Sequence, residues 1–322
     1  MLAAVCARIS PDDPVSGLDV VEVPEPEPKE GWEVVEVRAA ALNQHDIFSL
    51  RGVGVTEDVL PITLGTDAAG VTVDGTEVVV HAVLGNVLPG EDETLSTDFH
   101  VFTERGVPGT LAQRVAVPSR NLIPKPAGLS FAEAACLPTA YLTAYRMLFG
   151  RAQLQPGQSV LVQGAGGGVA TAAILLGRAA GLVVYVTSRS EEKRARALEL
   201  GANAALEPGG RLPVRVDAVL ETVGKATWDH SLKSLRPGGT IVVAGATSGP
   251  DPSADLARVF WRQLSILGSS MGSIGDFRRL CAFIEQTGIR PLVDSEHALA
   301  DAGNAFERMV AGNEFGKIIV VP

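Results

Sequence analysis

Cysteine is scarce in this chain of 322 residues: Cys6, Cys136 and Cys281 are the full set, far apart and without CxxC or Cys/His spacing. That excludes a disulfide framework and a structural zinc knot, and leaves buried thiols as the expected state. Long apolar runs are missing too, none approaching the roughly 20 residues that a membrane-spanning helix needs. Met1–Ile9 carries no basic start followed by a long apolar segment, so no export signal is expected and the default location is cytoplasmic. Positive charge is in deficit: 27 Lys and Arg stand against 37 Asp and Glu, a formal net charge of −10. The deficit argues against broad nucleic-acid binding and against attraction to an anionic membrane. Any anionic ligand must therefore be held by local groups.

What is present is enough apolar material, 46% of residues, for two domains with substantial cores. The organising stretch is Ser159–Gly181. Ser159–Gln163 reads as a short buried strand, Gly164, Gly166, Gly167 and Gly168 as a tight turn, and Val169–Ala180 as a helix rich in small residues. A strand, a glycine turn and a helix N-terminus gather unpaired N–H groups and the positive end of a helix dipole at one place, which suits a pyrophosphate.

Context strengthens that reading. Leu182–Thr187 is a second strand; a helix at Glu191–Leu200 follows, with Ser190 as its N-cap and Gly201 just past its end. Asp217–Leu220 is a third strand, Trp228–Leu235 a helix, Arg236–Gly239 a turn, Thr240–Gly245 a fourth strand, Ser253–Gln263 a helix and Leu264–Gly268 a last strand. Such alternation predicts an α/β fold, a Rossmann-type doubly wound parallel sheet.

The first 125 residues differ. Leu18–Val23 alternates before Pro24, Pro26 and Pro28; Trp32–Ala41 is a strand, Val71–Val80 a hairpin around Asp74-Gly75, and Ala112–Pro118 a further strand. Together they predict a mostly β domain. Gly85–Pro108, rich in Gly, Pro, Asp and Glu, reads as a long surface lobe. Ser130–Phe149 is helical in pattern, broken in two by Pro138, and carries the chain toward the cofactor domain. After Gly268 come helices at Asp276–Thr287 and Asp301–Ala311 and a strand at Lys317–Val321. The division expected is 1–125 for the β-rich substrate domain, 126–268 for the cofactor domain, and 269–322 for a segment returning to the first domain.

The order of a β-rich domain, a crossing helix and a Rossmann unit resembles the medium-chain dehydrogenase/reductase superfamily, and within it the zinc-independent quinone oxidoreductase branch. The resemblance is carried by Ala41–Asp46 (ALNQHD), Leu64–Gly70 (LGTDAAG), Ala134–Tyr145 (AACLPTAYLTAY), the glycine turn with its helix, and Phe315-Gly316-Lys317. It implies a GroES-like fold for the first domain. Where zinc-dependent members hold their catalytic metal, this chain is matched by Asn43, Thr66 and Thr139. A carboxamide and two hydroxyls are poor zinc ligands beside thiolate, imidazole or carboxylate, so no metal is expected. Cys136 lies near the third position but offset by three residues. The relatives' structural zinc lobe needs four cysteines, and Gly85–Pro108 contains none.

The end of the second Rossmann strand reports on the cofactor. An NAD site usually places an acid there for the ribose hydroxyls; this chain has Thr187-Ser188-Arg189-Ser190, with Lys193 one turn into the next helix. Hydroxyls and cations hold a 2′-phosphate that an acid would repel, so NADP(H) is expected, unless Arg189 and Lys193 are ordinary solvated charges. The family's third fingerprint glycine is matched by Ala170. Further cofactor contacts are expected from Ala165, Val169, Thr143, Thr222, Val223, Ala244, Gly245, Leu267, Gly268 and Ser269. Lys317 is a candidate for the phosphates, or else a surface lysine on an edge strand.

Hydride delivery without a Lewis acid suits an acceptor already polarised by conjugation: a quinone, enone or enal. Candidate catalytic residues are Asn43, as donor to substrate or holder of the nicotinamide ribose, Thr66 as hydroxyl donor, and His45 as proton relay. His45 and Asp46 also read as a structural pair, and Tyr141 and Tyr145 as aromatic packing. The substrate pocket is assigned to Phe48–Val59, Val83–Pro108 and Met271–Phe277. Competing functions are a non-catalytic NADPH-binding sensor, a zinc-type alcohol dehydrogenase, and an S-adenosylmethionine methyltransferase, for which Leu235–Gly239 would look familiar. A homodimer is expected, paired through Leu264–Gly268.

Overall fold

The structure is a computed structural model that describes residues 1–85 and 91–322. The chain forms two compact units, Met1–Ala140 with Ser273–Pro322, and Tyr141–Gly272. It passes from one to the other within the helical run that starts at Phe131, and returns just before the helix Ile274–Thr287.

The second unit is a six-stranded, all-parallel sheet ordered Ala204–Leu206, Val183–Thr187, Ser159–Val162, Val216–Glu221, Leu235–Val243, Ser265–Gly268. Its two central strands, SVLV and VDAVLE, are rich in Val and Leu and buried on both faces except at the half-buried Asp217, as a sheet covered by helices requires. Helix Gly168–Ala179 lies close to that sheet because the face on the side of Gly177 carries the small residues Ala170 and Ala173 as well. A Cβ on Gly177 would stand 2.8 Å from Val184 Cγ2, so this glycine permits the close contact of helix and strand. Ser190 caps the next helix by accepting from Lys193 N at 3.2 Å, and Gly201 closes it at φ +116.

Two expectations in this unit are corrected. Arg236–Gly239 is no turn: Leu235 pairs with Val216 and Thr240 with Ala218, so the residues between bulge within one continuous strand, with Gly238 at φ +72. The helix expected from Ser253 begins at Leu256, where Asp255 accepts from Arg258 N at 3.0 Å as the cap. The strand Ala204–Leu206 was not anticipated, being three half-buried residues long.

The first unit holds a seven-stranded sheet. Its path runs Leu122–Pro124, Glu77–Val80, Asp67–Thr72, Trp32–Ala41, Lys317–Val321, Val293–Ala298, with Arg114–Pro118 also on Trp32–Ala41. A three-stranded sheet of Leu18–Glu22, Leu2–Cys6 and Ile62–Thr63 packs into the same core as Leu42, Leu50, Phe102 and Phe306. The strand Val293–Ala298 is polar enough to have escaped the sequence pattern. Because of it, Lys317–Val321 is an inner strand, and Lys317 is buried instead of lying on an exposed edge.

The helical run is not broken at Pro138. It widens into π-helical turns over Leu137–Tyr141 and again over Arg146–Arg151, where the missing proline N–H is accommodated without ending the helix. The lobe expected at Gly85–Pro108 contains short turns at Glu93–Leu95 and Glu104–Gly106 and a strand pair, Val83–Leu84 with His100–Val101; its residues 86–90 lie outside the described residues.

Candidate active site and cofactor cradle

In the first unit, the strand Trp32–Ala41 delivers Leu42 and Asn43 to the start of helix Gln44–Leu50. Asn43 N donates to Asp46 Oδ2 at 2.7 Å, which fixes the helix entry. The Asn43 side chain then turns inward. Its Nδ2 donates to Thr66 Oγ1 at 3.0 Å and to Ala41 O at 3.3 Å, while its Oδ1 accepts from Lys317 Nζ at 2.6 Å. Thr66 Oγ1 lies 3.2 Å from Thr139 Oγ1, and Thr139 Oγ1 donates to Asp67 Oδ1 at 2.5 Å. The three residues matched to a metal site in the sequence are therefore brought together, and are joined to one another by hydrogen bonds.

Two charged groups complete the cluster. Lys317 also donates to Leu42 O at 2.5 Å and stands 3.6 Å from Asp67 Oδ2. Both are buried, Asp67 completely. Burial pushes the Asp67 carboxyl above its usual range against the opposing pull of the Lys317 ammonium and the hydroxyl donors. The Asp67 carboxylate thus gathers the hydroxyls, and the ammonium sets the orientation of the Asn43 amide.

This donor set does not fit zinc. Neutral carboxamide and hydroxyl oxygens bind Zn²⁺ weakly, and an ammonium 2.6 Å from Asn43 Oδ1 takes one of its lone pairs and repels a second cation there. Cys136 offers no substitute: its Sγ donates back to Ala132 O at 3.3 Å, and burial raises its thiol far above the ordinary range. Among the described residues, no group of three or more His, Cys, Asp or Glu could hold a metal ion.

His45 is paired with Glu104, not with Asp46. Its Nε2 is 3.1 Å from Glu104 Oε1, while Asp46 serves the helix cap. Burial works against charge on the imidazole, but the Glu104 hydrogen bond and the fields of Asp46, Glu104 and Asp67 together hold its pKa above the ordinary histidine value. Asp46, fully buried, is itself pushed up to about 6 by desolvation.

In the second unit, Gly164 at φ +94 opens the turn and Gly167 precedes the first helical residue, Gly168. A Cβ on Gly164 or Gly167 would meet nothing within 4 Å, so the turn has an open face. Unsatisfied N–H groups at the start of a 12-residue helix beside an open glycine turn fit a cofactor pyrophosphate. Ala165, Gly166 and Ala170 are buried beneath the turn, and Gly168 and Val169 are half-exposed. Gly164 N donates to Thr187 Oγ1 at 3.3 Å, and Thr187 Oγ1 donates to Gln163 Oε1 at 2.7 Å, tying the first strand end to the second.

The other strand ends are less free than expected. Glu221, fully buried, accepts from Val223 N at 2.9 Å, Gly224 N at 3.0 Å, Thr227 Oγ1 at 2.9 Å and Ser231 Oγ at 2.6 Å. The amide of Val223 is thereby consumed inside the protein. Thr222 O accepts from Thr247 N at 3.3 Å, Ala244 N donates to Glu221 O, and Ser269 N donates to Val243 O. Thr222, Ala244, Gly245 and Leu267 are half-buried, Gly268 is exposed, and Thr143 is buried in its helix. Ser188 and Lys193 are half-exposed and Arg189 is exposed at the end of the second strand. Sequence reasoning passed over Asp67 and Glu104, whose partners lie on distant segments, and Glu221 and Arg194, whose hydrogen bonds fold back onto nearby turns.

Residues 29–127 match the alcohol dehydrogenase GroES-like domain and residues 168–286 the zinc-binding dehydrogenase family. The chain belongs to the medium-chain dehydrogenase/reductase superfamily, a family of oxidoreductases. It is 32% identical over 337 aligned positions to a zinc-type alcohol dehydrogenase-like protein of Schizosaccharomyces pombe, covering 96% of this chain and 97% of that one. It is 29% identical to the quinone oxidoreductase of Mus musculus, covering 92% and 91%. Among solved structures, an NAD-dependent alcohol dehydrogenase superposes with a TM-score of 0.91 at 33% identity, over 100% of both chains. A crotonyl-CoA carboxylase/reductase in complex with NADP gives 0.87 at 27%, over 100% of this chain and 94% of that one.

Proposed function

We propose that this chain is an NADPH-dependent oxidoreductase that works without zinc and delivers hydride to a quinone or an α,β-unsaturated carbonyl. The observation that carries the reading is the hydrogen-bonded cluster of Asn43, Thr66, Thr139, Asp67 and Lys317: the three residues that the family resemblance matches to zinc ligands are a carboxamide and two hydroxyls, tied to a buried ammonium and carboxylate. Without a Lewis acid, a simple carbonyl is a poor hydride acceptor, whereas a conjugated one accepts at its β-carbon and spreads the charge. Kinship with quinone oxidoreductase and with an NADP-bound reductase supports both the acceptor class and the cofactor.

Bound NADPH would supply the hydride. On this reading, the amides of Gly164–Gly168 hold the pyrophosphate, and Ser188, Arg189 and Lys193 the 2′-phosphate. The hydroxyls of Thr66 and Thr139 share Asp67 as acceptor, so one can turn to the carbonyl oxygen of the substrate while the other stays bound. Asn43, with both N–H groups and its oxygen engaged, orients Thr66. His45, held by Glu104 above its ordinary pKa, carries the proton that completes reduction at the α-carbon.

A homodimer is part of the proposal. Ser265–Gly268 is an edge strand, and beside it Leu256, Phe260 and Trp261 are 68%, 69% and 79% exposed, an apolar surface suited to a second copy. Sedimentation would read it directly.

The test is a fluorescence titration of chelator-treated protein with NADPH and NADH, followed by loss of NADPH absorbance on adding quinones, enones, enals and simple ketones. Turnover of a conjugated acceptor without added metal is the expected result. Binding without turnover would favour a nucleotide sensor, and activity restored only by Zn²⁺ would sink the proposal.

A further inference from the structure

NADPH differs from NADH by a 2′-phosphate, and on the cofactor reading above, which this inference presupposes, that group meets the loop after strand Val183–Thr187. One side chain holds the loop from behind. Arg194, in the first turn of helix Glu191–Leu200, donates through Nη1 to Ser188 O at 2.7 Å and to Arg189 O at 3.3 Å. Its Nη2 reaches Glu207 Oε1 at 3.4 Å; the Arg194 side chain is 17% exposed and Glu207 78%, so that ion pair is weak and the guanidinium serves chiefly the two carbonyls.

The peptide geometry turns this into a statement about the opposite face. In a trans peptide the C=O and the next N–H point in opposite directions. With the Ser188 carbonyl drawn toward Arg194, the N–H of Arg189 is directed away from it. The Ser188 hydroxyl accepts from Ser190 N at 3.2 Å, which leaves its own O–H to donate. Thr187 is committed inward to Gln163 and adds nothing on this side. The loop therefore offers a hydroxyl, an amide and the exposed Arg189 guanidinium, with the carbonyl oxygens of both residues withdrawn. Glu191 and Glu192 in the same first turn are exposed acids that oppose a phosphate, so the loop's orientation matters.

We infer that Arg194 is the positioning residue that sets cofactor choice: it withdraws two carbonyl oxygens that would repel a 2′-phosphate and turns the loop's donors outward. It need not touch the nucleotide. Its contribution falls on discrimination between the two cofactors, because the pyrophosphate cradle at Gly164–Gly168 is shared by both.

The experiment is a fluorescence titration of the full chain and of Arg194→Gln, Arg194→Lys and Arg189→Gln with NADPH, NADH and 2′,5′-ADP, with thermal melts alongside. Arg194→Gln should weaken NADPH and 2′,5′-ADP about tenfold and leave NADH within about twofold, the scale of one charge-assisted contact. Arg194→Lys should recover part of the loss, since an ammonium can still hold one carbonyl. An unchanged NADH-to-NADPH ratio in Arg194→Gln, or parallel loss of both nucleotides, overturns the inference. An unmutated chain with no preference for NADPH overturns the cofactor reading itself and the inference with it, and is recognised before any variant is measured.

Discussion

In the Rossmann unit, the feature proposed to meet a ligand is a backbone turn, Gly164 to Gly168, open at Gly164 and Gly167 and set at the start of one helix. In the GroES-like unit it is a set of side chains, Asn43, Thr66, Asp67, Thr139 and Lys317, buried apart from the half-buried Thr139 and oriented by one another. The first kind of site is robust because it needs only a turn and a helix start. The second depends on a buried charge being compensated, so every member is held by the rest. Damage should therefore be local in one unit and cooperative in the other.

The largest effect expected is at Lys317. Lys317→Met leaves Asp67, Asn43 Oδ1 and Leu42 O without their cation and should cost about 3–5 kcal/mol in urea unfolding. Adding Asp67→Asn should recover part of that loss; an additive double variant would show that the two groups do not act as a pair. Next comes Gly177→Ala, whose methyl would meet Val184 Cγ2 at 2.8 Å. It should destabilise by about 1–3 kcal/mol while leaving NADPH affinity nearly unchanged, which separates packing under the cradle from the cradle itself.

Thr139→Val removes one hydroxyl from Asp67 and should lower kcat about tenfold with a stability loss near 1 kcal/mol. An unchanged kcat would take Thr139 out of the chemistry. The smallest effect concerns Asp294, on the strand that the sequence pattern missed. Burial would raise its carboxyl, but Arg308 at 2.6 and 3.0 Å and Phe315 N at 2.9 Å outweigh burial and hold it below the usual range. Its folded pKa lies below its unfolded one, so its stabilisation is present above about pH 4 and is lost as pH falls through the depressed value. Asp294→Asn should cost on the order of 1 kcal/mol near neutral pH and flatten the acid limb of the stability profile.

How much was legible follows the same divide. Ser159–Gly201 could be read almost element by element, because apolar runs, capping serines and glycines act within a few residues of themselves. Asn43, Thr66 and Thr139 could be recognised only by resemblance to a family, since nothing in their separate surroundings marks them as neighbours. Of the two readings of Lys317, the surface lysine on an edge strand fails: on its own the run Lys317–Val321 looks like an edge strand, and it becomes an inner one only when Val293–Ala298 pairs beside it. His45 was assigned its neighbour in sequence, whereas helix geometry gives Asp46 to the cap and leaves the imidazole to Glu104 from a distant turn.

By itself the sequence determined the α/β class, the glycine turn and the capped helix after the second strand, because each follows from local periodicity, backbone freedom or capping chemistry. Tertiary structure alone decided which residues share a buried charge, which strand ends keep free amides, and which way the Ser188–Arg189 carbonyls point. Those depend on partners brought together across as many as 275 positions of chain, as for Lys317 and Leu42.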